Sequence, residues 1–556
     1  MSYLTTLPTR KATPQSAPIP GRETEQVKNN AGGFTFAADA WTKLDRWLLL
    51  GSENGSYYCG QSDLTKQNID NVKACIVKDG VRVVKRLVEI SLAGRAPKVD
   101  STLYTLALCL SAELKNPNSA TRTAATDAIT KVARTGTHLF MLCSFIDGMR
   151  GWGSGLRKAV GEWYTLKTTK DLAYQLVKYQ QRDGWSHRDI LRLAHPKDQS
   201  ALLRYAIGSD AGPREVIKTS VIAGGKTPIA FNYSSIDKFE LPSIITAFEK
   251  AKTASEKETV QLITEFGLTH EMVQTQYLKS PAVWEALLQK MKPEATMRSL
   301  GRMSAIGLLK PLSEASKLVT SRLTDVGQLK HARIHPLAVL KALVTYKQGH
   351  GDKSKLTWDA EQRVVDALDS AFYKTFDFVE PTGLNFALGI DVSGSMTGIW
   401  GSGGVAGFPG LTPNMGAAAM AMLIARTEPN HFIGGFATRF IDLKISANDT
   451  LANTMKKCQA NFGGTDTAVL IDYAKATKLP VDVFVVLTDG ETWAGSTHTC
   501  QALNNFRQAT GRNAKLVVIN MVANATSIVD PTDSGSMDII GMDPSVPTVI
   551  NQFALT

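Results

Sequence analysis

The sequence predicts a multidomain protein, in which an α-helical repeat array is followed by an α/β domain with a Rossmann-like parallel sheet. Three observations predict this fold class. Amphipathic helices follow one another from about Ala37 to Phe376, short apolar strands alternate with helices after Pro381, and the charge changes sign between the two parts. A length of 556 residues, 43% of them hydrophobic, is sufficient for several domains with large cores.

The first 33 residues are rich in proline, glycine, threonine and lysine and lack periodicity. Residues 1–33 are therefore predicted to form a flexible arm, or a segment that is ordered only by docking. Met1–Pro20 lacks the apolar core of a secretory signal, and no uncharged apolar run approaches the ~20 residues that span a bilayer. The six cysteines show no CxxC spacing, so we expect reduced core thiols in a cytoplasmic protein.

Residues 34–376 are predicted to form the helical domain. In Pro336–Tyr346 the side chains of Leu337, Leu340 and Val344 share one helix face, and Pro336 suits the first helical turn. Short polar links separate further amphipathic stretches, which lie at Thr123–Ala133, Asp171–Tyr179, Trp284–Met291 and Glu361–Phe372. Many such helices in series favour a helical-repeat array over a single globular bundle.

Residues 377–556 are predicted to form the α/β domain. Continuous apolar runs predict buried parallel strands at Phe386–Ile390, Val483–Leu487 and Leu516–Ile519. Helical stretches lie between them at Met415–Arg426 and Thr467–Thr477. In such sheets, ligands bind beyond the carboxyl ends of the strands.

The net charge of +11 is distributed unevenly along the chain. Residues 377–556 contain 10 basic and 15 acidic side chains, a formal charge of −5, whereas residues 1–376 contain 52 and 36, a formal charge of +16. A basic domain attracts polyanions such as nucleic acids through Coulomb forces and counterion release. On charge alone, a solvated basic surface without a ligand is an equal alternative.

Oxygen-bearing side chains follow the predicted strands in a pattern that suits a metal ion. Asp391, Ser393 and Ser395 follow the first strand, Thr465 lies in a Gly-Gly-Thr-Asp loop, and Asp489 follows a later strand. Carboxylate and hydroxyl oxygens are hard ligands, so we expect Mg²⁺, with Mn²⁺ or Ca²⁺ as alternatives. The pattern resembles the metal-ion-dependent adhesion site (MIDAS) of von Willebrand factor A (vWA) domains, in which a partner carboxylate completes the metal shell.

Two features near this pattern are expected to affect access to the metal. A Gly-rich insertion, Thr397–Pro413, separates the first motif from its helix and would cover or reshape the metal face. Glu491 lies two residues after Asp489 and is a candidate to occupy the site itself.

A second candidate site lies in the basic segment Lys178–Pro196. Lys178 and Arg182 are spaced to share one helix face, and Gly184 is expected to end that helix. Ser186 is expected to cap the next helix.

His187 would then stand exposed at the start of that second helix, beside Arg188 and with Asp189 at the third helical position. A helix N-terminus flanked by cations suits a phosphate group. A helix–helix turn with ordinary surface charges is an equal alternative.

The same segment resembles the signature of the Ro autoantigen family, whose helical part is the telomerase–Ro–vault (TROVE) module. The resemblance extends over nearly the whole chain apart from the N-terminal arm and the Gly-rich insertion. Further stretches that resemble Ro proteins are Gly51–Tyr58, Thr137–Phe140, Gly155–Lys158, Glu162–Tyr164, Ala332–Pro336, Ala371–Phe376 and Glu380–Gly383.

This resemblance implies a monomeric ring of HEAT-like helical repeats, residues 34–376, closed by a vWA domain at residues 377–556. It implies that small non-coding Y RNAs bind the outer basic surface and that single-stranded ends of misfolded RNAs enter a central hole. It further implies, for a bacterial member, an exoribonuclease partner such as polynucleotide phosphorylase.

Five residues are RNA-contact candidates. His187 is carried over because it matches the family signature, whereas four cations are candidates from charge and proximity: Lys170, Lys178, Arg182 and Arg188.

The chain is predicted not to be an enzyme, because no catalytic signature is found. Ala223–Thr227 imitates the end of a phosphate loop, but Ser220 stands in place of the required first glycine. Three hypotheses follow: an RNA-binding scaffold in RNA quality control, a metal-dependent protein-interaction adaptor in which RNA binding is secondary, and a nuclease or chelatase-like enzyme.

Overall fold

The structure is a computed structural model that describes residues 12–50, 61–93, 99–116, 118–197, 200–208, 241–351, 355–397, 404–406, 408, 410–459, 463–522 and 526–555. The chain divides into two compact units. One contains Cys75–Met291 with Ile306–Leu308, and the other contains Met1–Ala74, Lys292–Ala305 and Leu309–Thr556.

Helices dominate the described part of the chain before the α/β domain, with two short strands at its start and a short hairpin after α7. In chain order the elements are β1 (Gln26–Lys28), β2 (Phe34–Ala37), α1 (Ala40–Leu50), α2 (Gln61–Leu92), α3 (Asp100–Leu110), α4 (Ala120–Val132), α5 (Gly136–Asp147), α6 (Ser154–Thr165), α7 (Thr169–Lys178), β3 (Gln181–Arg182), β4 (Trp185–Ser186), α8 (His187–Ala194), α9 (Ala201–Ile207), α10 (Ser243–Ala251), α11 (Glu256–Phe266), α12 (Pro281–Lys290), α13 (Pro293–Ala305), α14 (Glu314–Thr324), α15 (Val326–His331), α16 (Pro336–Lys347) and α17 (Gln362–Lys374).

Local sequence signals explain where many of these helices begin. The side chains of Ser119, Thr135 and Thr168 each accept a hydrogen bond from the backbone N–H three residues later, which caps α4, α5 and α7. Pro281 and Pro336 occupy the first turns of α12 and α16, where a missing N–H has no cost. The helices predicted around Thr123, Asp171, Trp284, Pro336 and Glu361 are therefore confirmed, within a few residues at their ends.

In the unit that contains Cys75–Met291, helices pack on their neighbours along the chain. Helix α3 contacts α4 and α5, α4 contacts α6, α6 contacts α8, and α10 contacts α11, which in turn contacts α12. Large side chains fill the spaces between them, and the rings of Phe140, Trp163 and Tyr164 are fully buried. Packing between successive helices is the arrangement predicted for a helical array.

In the other unit, the later helices pack on one another. Helix α17 packs on α14 and α16, and α16 also contacts α13. Gly301 in α13 is needed at one contact, because a Cβ there would lie 2.7 Å from the Trp358 ring. These helices belong to the same compact unit as the α/β domain.

The α/β domain alternates strands and helices, as predicted after Pro381. Its elements are β5 (Phe386–Asp391), α18 (Pro413–Thr427), β6 (His431–Phe436), β7 (Phe440–Asp442), α19 (Leu451–Lys457), α20 (Val469–Ala476), β8 (Val483–Thr488), α21 (Thr499–Thr510), β9 (Lys515–Asn520), β10 (Thr526–Ser527), β11 (Ser536–Ile540) and α22 (Val546–Leu555).

Six strands form one sheet in the order β11-β9-β8-β5-β6-β7. Every neighbouring pair is parallel except β6 and β7, which are antiparallel. In register, Leu388 of β5 lies between Ile433 of β6 and Val485 of β8. All residues of β5, β8 and β9 are buried, which explains why these three strands read as continuous apolar runs.

Strand β6 escaped prediction because its sequence contains two glycines in its centre. Both are required by packing, since a Cβ at Gly434 would lie 2.2 Å from the Phe440 ring and one at Gly435 would lie 3.0 Å from Val392. Glycine normally weakens a strand, so the sequence signal here is opposite to the structure.

The N-terminal segment corrects the expectation of a flexible arm at residues 1–33. Residues 12–33 are placed against the α/β domain, while residues 1–11 lie outside the described part. Strand β1 pairs with β2, and β2 pairs with β10 of the α/β domain, which gives a three-stranded antiparallel sheet. Of the two alternatives for this segment, the structure agrees with docking for residues 12–33.

The cysteines that the structure describes lie in the core, as predicted. Five are buried: Cys75, Cys109, Cys143, Cys458 and Cys500. Burial raises the pKa of the Cys109 thiol to about 12, so this thiol stays protonated at neutral pH. No described helix combines the length and the apolar character that a membrane crossing requires.

Candidate metal centre and nucleic-acid interface

The predicted metal site lies where the strand order of the sheet reverses. From β5 the chain continues to β6 on one side of the sheet and later returns to β8 on the other side. Ile390 and Leu487 are paired in register, so the residues that follow them leave adjacent strands at the same edge. This edge is the crevice in which α/β sheets bind ligands, and it contains Asp391 and Asp489.

Asp391 is fully buried and its two carboxylate oxygens are both hydrogen-bonded. The backbone N–H of Ser393 donates to Oδ1 at 2.9 Å, and the hydroxyl of Thr488 donates to Oδ2 at 2.8 Å. These bonds set the orientation of the carboxylate and leave lone pairs for a further ligand.

The two serines of the first motif connect Asp391 to Asp489. The hydroxyl oxygens of Ser393 and Ser395 lie 3.1 Å apart, and Ser395 hydrogen-bonds to the Asp489 carboxylate. The backbone N–H of Glu491 donates to Oδ1 of Asp489 at 3.2 Å. The structure therefore brings together four of the five predicted metal ligands through side-chain contacts.

Thr465, the fifth predicted ligand, is buried. Hydrogen bonds to its backbone carbonyl connect it to the loop that follows Asp489. Its carbonyl oxygen accepts hydrogen bonds from the N–H groups of Trp493, at 3.1 Å, and Ala494, at 3.0 Å. The hydroxyl oxygen of Thr492 lies 3.2 Å from the same oxygen. Gly464 makes this contact possible, since a Cβ there would lie 2.3 Å from the Trp493 ring.

The electrostatics of the site fit a cation. Burial, and secondarily the charge of Asp489, raise the pKa of Asp391, and burial raises the pKa of Asp489 as well. Two buried carboxylates with two hydroxyls between them form a hard-oxygen donor set of the kind that Mg²⁺ prefers. Among the described residues no cluster of three His, Cys, Asp or Glu side chains could hold a metal, so the hydroxyls are needed to complete this one.

Glu491 does not point into the metal site. Its Oε1 accepts a hydrogen bond from the side-chain amide of Asn30 at 2.8 Å, and its Oε2 accepts one from the N–H of Ala31 at 3.2 Å. The expectation that Glu491 occupies the site is therefore wrong, because the N-terminal segment holds its carboxylate.

The Gly-rich insertion is described only in part. Residues 398–403, 407 and 409 lie outside the described part. The N–H of Ala406 donates to Met521, just beyond β9, and its carbonyl accepts from Met542, just beyond β11, so this portion is attached at the β9–β11 side of the sheet.

The basic segment after α7 forms a hairpin where the sequence predicted a continuous helix. Helix α7 ends at Lys178, and the two-residue strands β3 and β4 are joined by Asp183 and Gly184, which have φ angles of +51° and +81°. An Asp-Gly pair with two positive φ angles is typical of a tight β-hairpin turn. Lys178 and Arg182 therefore do not share a helix face, and Gly184 ends no helix.

The predicted cap of α8 is confirmed. The hydroxyl of Ser186 accepts from the N–H of Asp189, and the Asp189 carboxylate accepts from the N–H of Ser186, which is a capping box. The Asp189 carboxylate places negative charge at this helix N-terminus. For this reason the predicted phosphate site at the start of α8 is not supported.

His187 corrects the expectation of an exposed position, since it is only 4% exposed. Its Nδ1 lies 2.9 Å from the Tyr164 hydroxyl, and its ring packs edge-on against Phe140, with centroids 4.7 Å apart. Gly136 lets it approach α5, because a Cβ there would lie 3.1 Å from the imidazole. The ring is thus a core side chain between α5, α6 and α8, and its role as an RNA contact stays a prediction.

The four cationic candidates differ in exposure. Lys170 and Arg182 are exposed, whereas Arg188 is half-buried. Lys178 is also half-buried. Its ammonium donates to the Tyr174 hydroxyl at 3.1 Å and lies 3.8 Å from Glu271. Lys170 and Arg182 are therefore the two of these cations that are accessible to a polyanion.

Two family models match this chain, one in each of the predicted parts. The TROVE domain matches residues 27–215 and 264–345, and the Ro60 vWA domain matches residues 385–554. Together the matched segments cover well over half of the chain. The chain belongs to the Ro protein family.

Individual Ro proteins resemble this chain along nearly its whole length. The RNA-binding protein RO60 of Deinococcus radiodurans is 39% identical over 531 residues, which is 95% of each chain. The RNA-binding protein RO60 of Caenorhabditis elegans is 33% identical over 590 residues, 95% of this chain and 90% of that one. The crystal structure of the Deinococcus radiodurans RO (RSR) protein matches with a TM-score of 0.71 at 37% identity, and covers 93% of this chain and 99% of that one.

In this Ro family member, the N-terminal segment contacts the loops of the predicted metal site, and the sequence did not predict these contacts. Gln15, Asn29 and Asn30 all bond to the loops that carry the predicted ligands. A run of polar residues without periodicity carries no signal for such contacts.

The phosphate-loop imitation at Ala223–Thr227 lies outside the described residues.

Proposed function

We propose that this protein is a non-catalytic RNA-binding protein that acts in the quality control and stability of small non-coding RNAs. One observation carries the proposal, namely the match along 95% of the chain to relatives that are named RNA-binding proteins. The formal charge of +16 on residues 1–376 supports it, since a basic surface supplies most of the affinity for a phosphate backbone.

The proposed RNA ligands are Y RNAs and single-stranded ends of misfolded RNAs. Burial, and secondarily the charges of Arg134 and Arg182, lower the pKa of His138 to about 4, so these two cations lie near the start of α5. These two arginines, together with the exposed Lys170 at the start of α7, support contact with a structured RNA stem. By the same family resemblance, we propose a cytoplasmic location and an exoribonuclease such as polynucleotide phosphorylase as a protein partner.

We further propose that the vWA domain binds a divalent cation, with Mg²⁺ as the first choice. Asp391, Ser393 and Ser395 would hold it directly, with Thr465 and Asp489 completing the site. The buried carboxylate pair and the hard-oxygen donor set support this assignment.

A filter-binding experiment tests the RNA proposal. A Y-like stem RNA is titrated with wild type and with the Lys170→Gln, Arg182→Gln double variant over a series of salt concentrations. We expect weaker binding and a shallower salt slope for the double variant, by about one unit of slope for each phosphate that is no longer neutralised. The matched control is Lys456→Gln, Lys478→Gln, which removes two exposed lysines of the vWA domain and is expected to bind like wild type.

Two results would contradict this proposal. One is RNA binding by the wild type that does not depend on salt. The other is an equal decrease of affinity in the double variant and in its control, since this would show a response to net charge and not to a site.

A protein-interaction adaptor is the second candidate function, and one observation favours it. Trp493 is 47% exposed beside the predicted metal ligand Thr465, and exposed tryptophans are frequent anchors of protein interfaces. A pull-down that compares wild type with Asp391→Ala, with and without Mg²⁺, tests this candidate. Identical partner lists under all four conditions would eliminate it.

A further inference from the structure

Gln15 bridges the two loops that carry Thr465 and Asp489. It is 1% exposed, and its side-chain amide donates to the Asp466 carboxylate at 2.7 Å. Its carbonyl oxygen accepts a hydrogen bond from the Thr492 hydroxyl. Asp466 adjoins Thr465 and Thr492 follows Asp489 by three residues, so one side chain of the N-terminal segment ties both metal-site loops together.

A second contact lies at the Asp489 loop alone. Asn30 and the N–H of Ala31 hold the Glu491 carboxylate, while the side-chain amide of Asn29 donates to the Thr492 carbonyl at 2.6 Å. Gly33 is in direct contact with the same loop, because a Cβ there would lie 2.0 Å from the Thr492 carbonyl oxygen. The N-terminal segment therefore forms one wall of the loop that carries Asp489.

Further contacts fix this segment on the domain away from the metal site. Arg22 forms an ion pair with Asp530 and lies over the Phe36 ring, 4.6 Å from its centroid. His498 Nε2 donates to the Ala17 carbonyl at 2.8 Å. The segment thus has its own anchor, and its metal-site contacts are additional to that anchor.

We propose that Gln15 and Asn30 are positioning residues of the divalent-cation site, and that docking of the N-terminal segment and binding of the cation stabilise each other. The inference rests on the cation site of the proposed function. Groups that hold metal ligands in place without touching the metal contribute strongly to affinity, because they set the ligand geometry in advance. By thermodynamic linkage, a segment that favours cation binding is itself held more firmly when the cation is bound.

Titration of the full-length protein with Mn²⁺, followed by calorimetry or by the electron paramagnetic resonance of free Mn²⁺, tests the first half of the proposal. We expect the dissociation constant to rise by roughly tenfold in Gln15→Ala, and by less in Asn30→Ala, because Asn30 bonds to one loop only. The matched control is Lys28→Gln, an exposed position of the same segment whose ammonium lies over the Phe34 ring. Circular dichroism verifies that each variant is folded.

Limited proteolysis tests the reciprocal half. In the wild type, Mn²⁺ is expected to slow cleavage within residues 12–33, and in Gln15→Ala this protection should largely disappear.

Two results would overturn the proposal. One is an unchanged Mn²⁺ affinity in folded Gln15→Ala and Asn30→Ala, and the other is a wild-type cleavage rate that does not depend on Mn²⁺. A wild type that binds no Mn²⁺ at all would instead reject the cation site itself, and the inference with it. The two failures are therefore distinguished by the wild-type titration.

Discussion

At the scale of single residues, burial decides what the polar groups of this protein can do. Asp391 is surrounded by protein at the end of a central strand, beside a second carboxylate, so its ionised form is disfavoured. His187 is surrounded by aromatic rings, and burial lowers its pKa to about 4. The predicted metal site and the neutral core histidine both follow from the physical cost of placing charge out of water.

The first prediction concerns Asp391→Asn. We expect Mg²⁺ to stabilise the wild type, by about 2.7 kcal/mol at a concentration 100-fold above its dissociation constant, and to have almost no effect on the variant. Thermal unfolding in Mg²⁺ and in EDTA measures the difference. Asp442→Asn, an exposed position of the same domain, is the control, and an equal Mg²⁺ effect in all three proteins would reject the site.

The second prediction concerns pH and His187. Because the folded-state pKa of about 4 lies below the unfolded value of 6.5, the contribution of the neutral ring to stability is complete above about pH 6.5 and is lost as the pH falls toward 4. At pH 5 the loss amounts to about 2 kcal/mol. Urea unfolding at pH 7 and pH 5 should therefore show a smaller decrease for His187→Gln than for wild type.

The same change at exposed His350 is the control for this measurement. His350→Gln is expected to follow the wild type at both pH values. A His187→Gln variant that loses as much stability as wild type between pH 7 and pH 5 would contradict the buried, neutral state of His187.

At the scale of elements, short-range turn chemistry shapes the signature segment. The Asp183-Gly184 turn reverses the chain after α7, and the capping box at Ser186 then starts α8. Arg182 lies in β3 directly before this turn and is exposed there. The element that presents a candidate RNA contact is therefore a hairpin of two-residue strands.

The third prediction compares two glycines of the helical unit. Gly184 has a φ of +81° with open space around a would-be Cβ, so Gly184→Ala should destabilise the protein by about 1 kcal/mol through backbone strain alone. Gly155 in α6 also has open space but no positive φ, so Gly155→Ala should stabilise by about 0.5 kcal/mol. Chemical denaturation measures both, and effects of equal sign would contradict the hairpin.

At the scale of the whole molecule, the two formal charges of +16 and −5 separate two chemistries along the chain. The basic part is suited to a phosphate backbone, and the acidic part includes the predicted cation site. A hydroxyl-rich shell around one cation fits binding better than hydrolysis, which usually needs an activated water and often two ions.

The fourth prediction follows for the whole protein. Purified protein incubated with a structured RNA in Mg²⁺ or Mn²⁺ should retain the RNA in complex and leave its length unchanged on a denaturing gel. Cleavage by the wild type that disappears in Asp391→Asn would instead favour the nuclease hypothesis. Cleavage that is equal in both proteins would indicate a contaminating nuclease.

Much of the fold was predictable because its signals are local. Strands β5, β8 and β9 are buried on both faces and read as apolar runs, and helices such as α16 and α17 carry apolar stripes at helical spacing. Asp391, Ser393, Ser395 and Asp489 could be found because they follow such strands, whose carboxyl ends must meet at one edge. The family resemblance of the Lys178–Pro196 segment was also readable without coordinates.

The sequence by itself determined the order of the two architectures and the sign of charge on each, and it predicted the oxygen ligands of a cation site, because periodicity, composition and strand-end position are properties of neighbouring residues. Only the tertiary structure decided that His187 is buried, that the N-terminal segment holds the Glu491 carboxylate and that Gln15 joins the two loops of the predicted metal site. These facts depend on contacts between residues such as Gln15 and Asp466, which are hundreds of positions apart, and no local pattern encodes which distant side chain fills a given space.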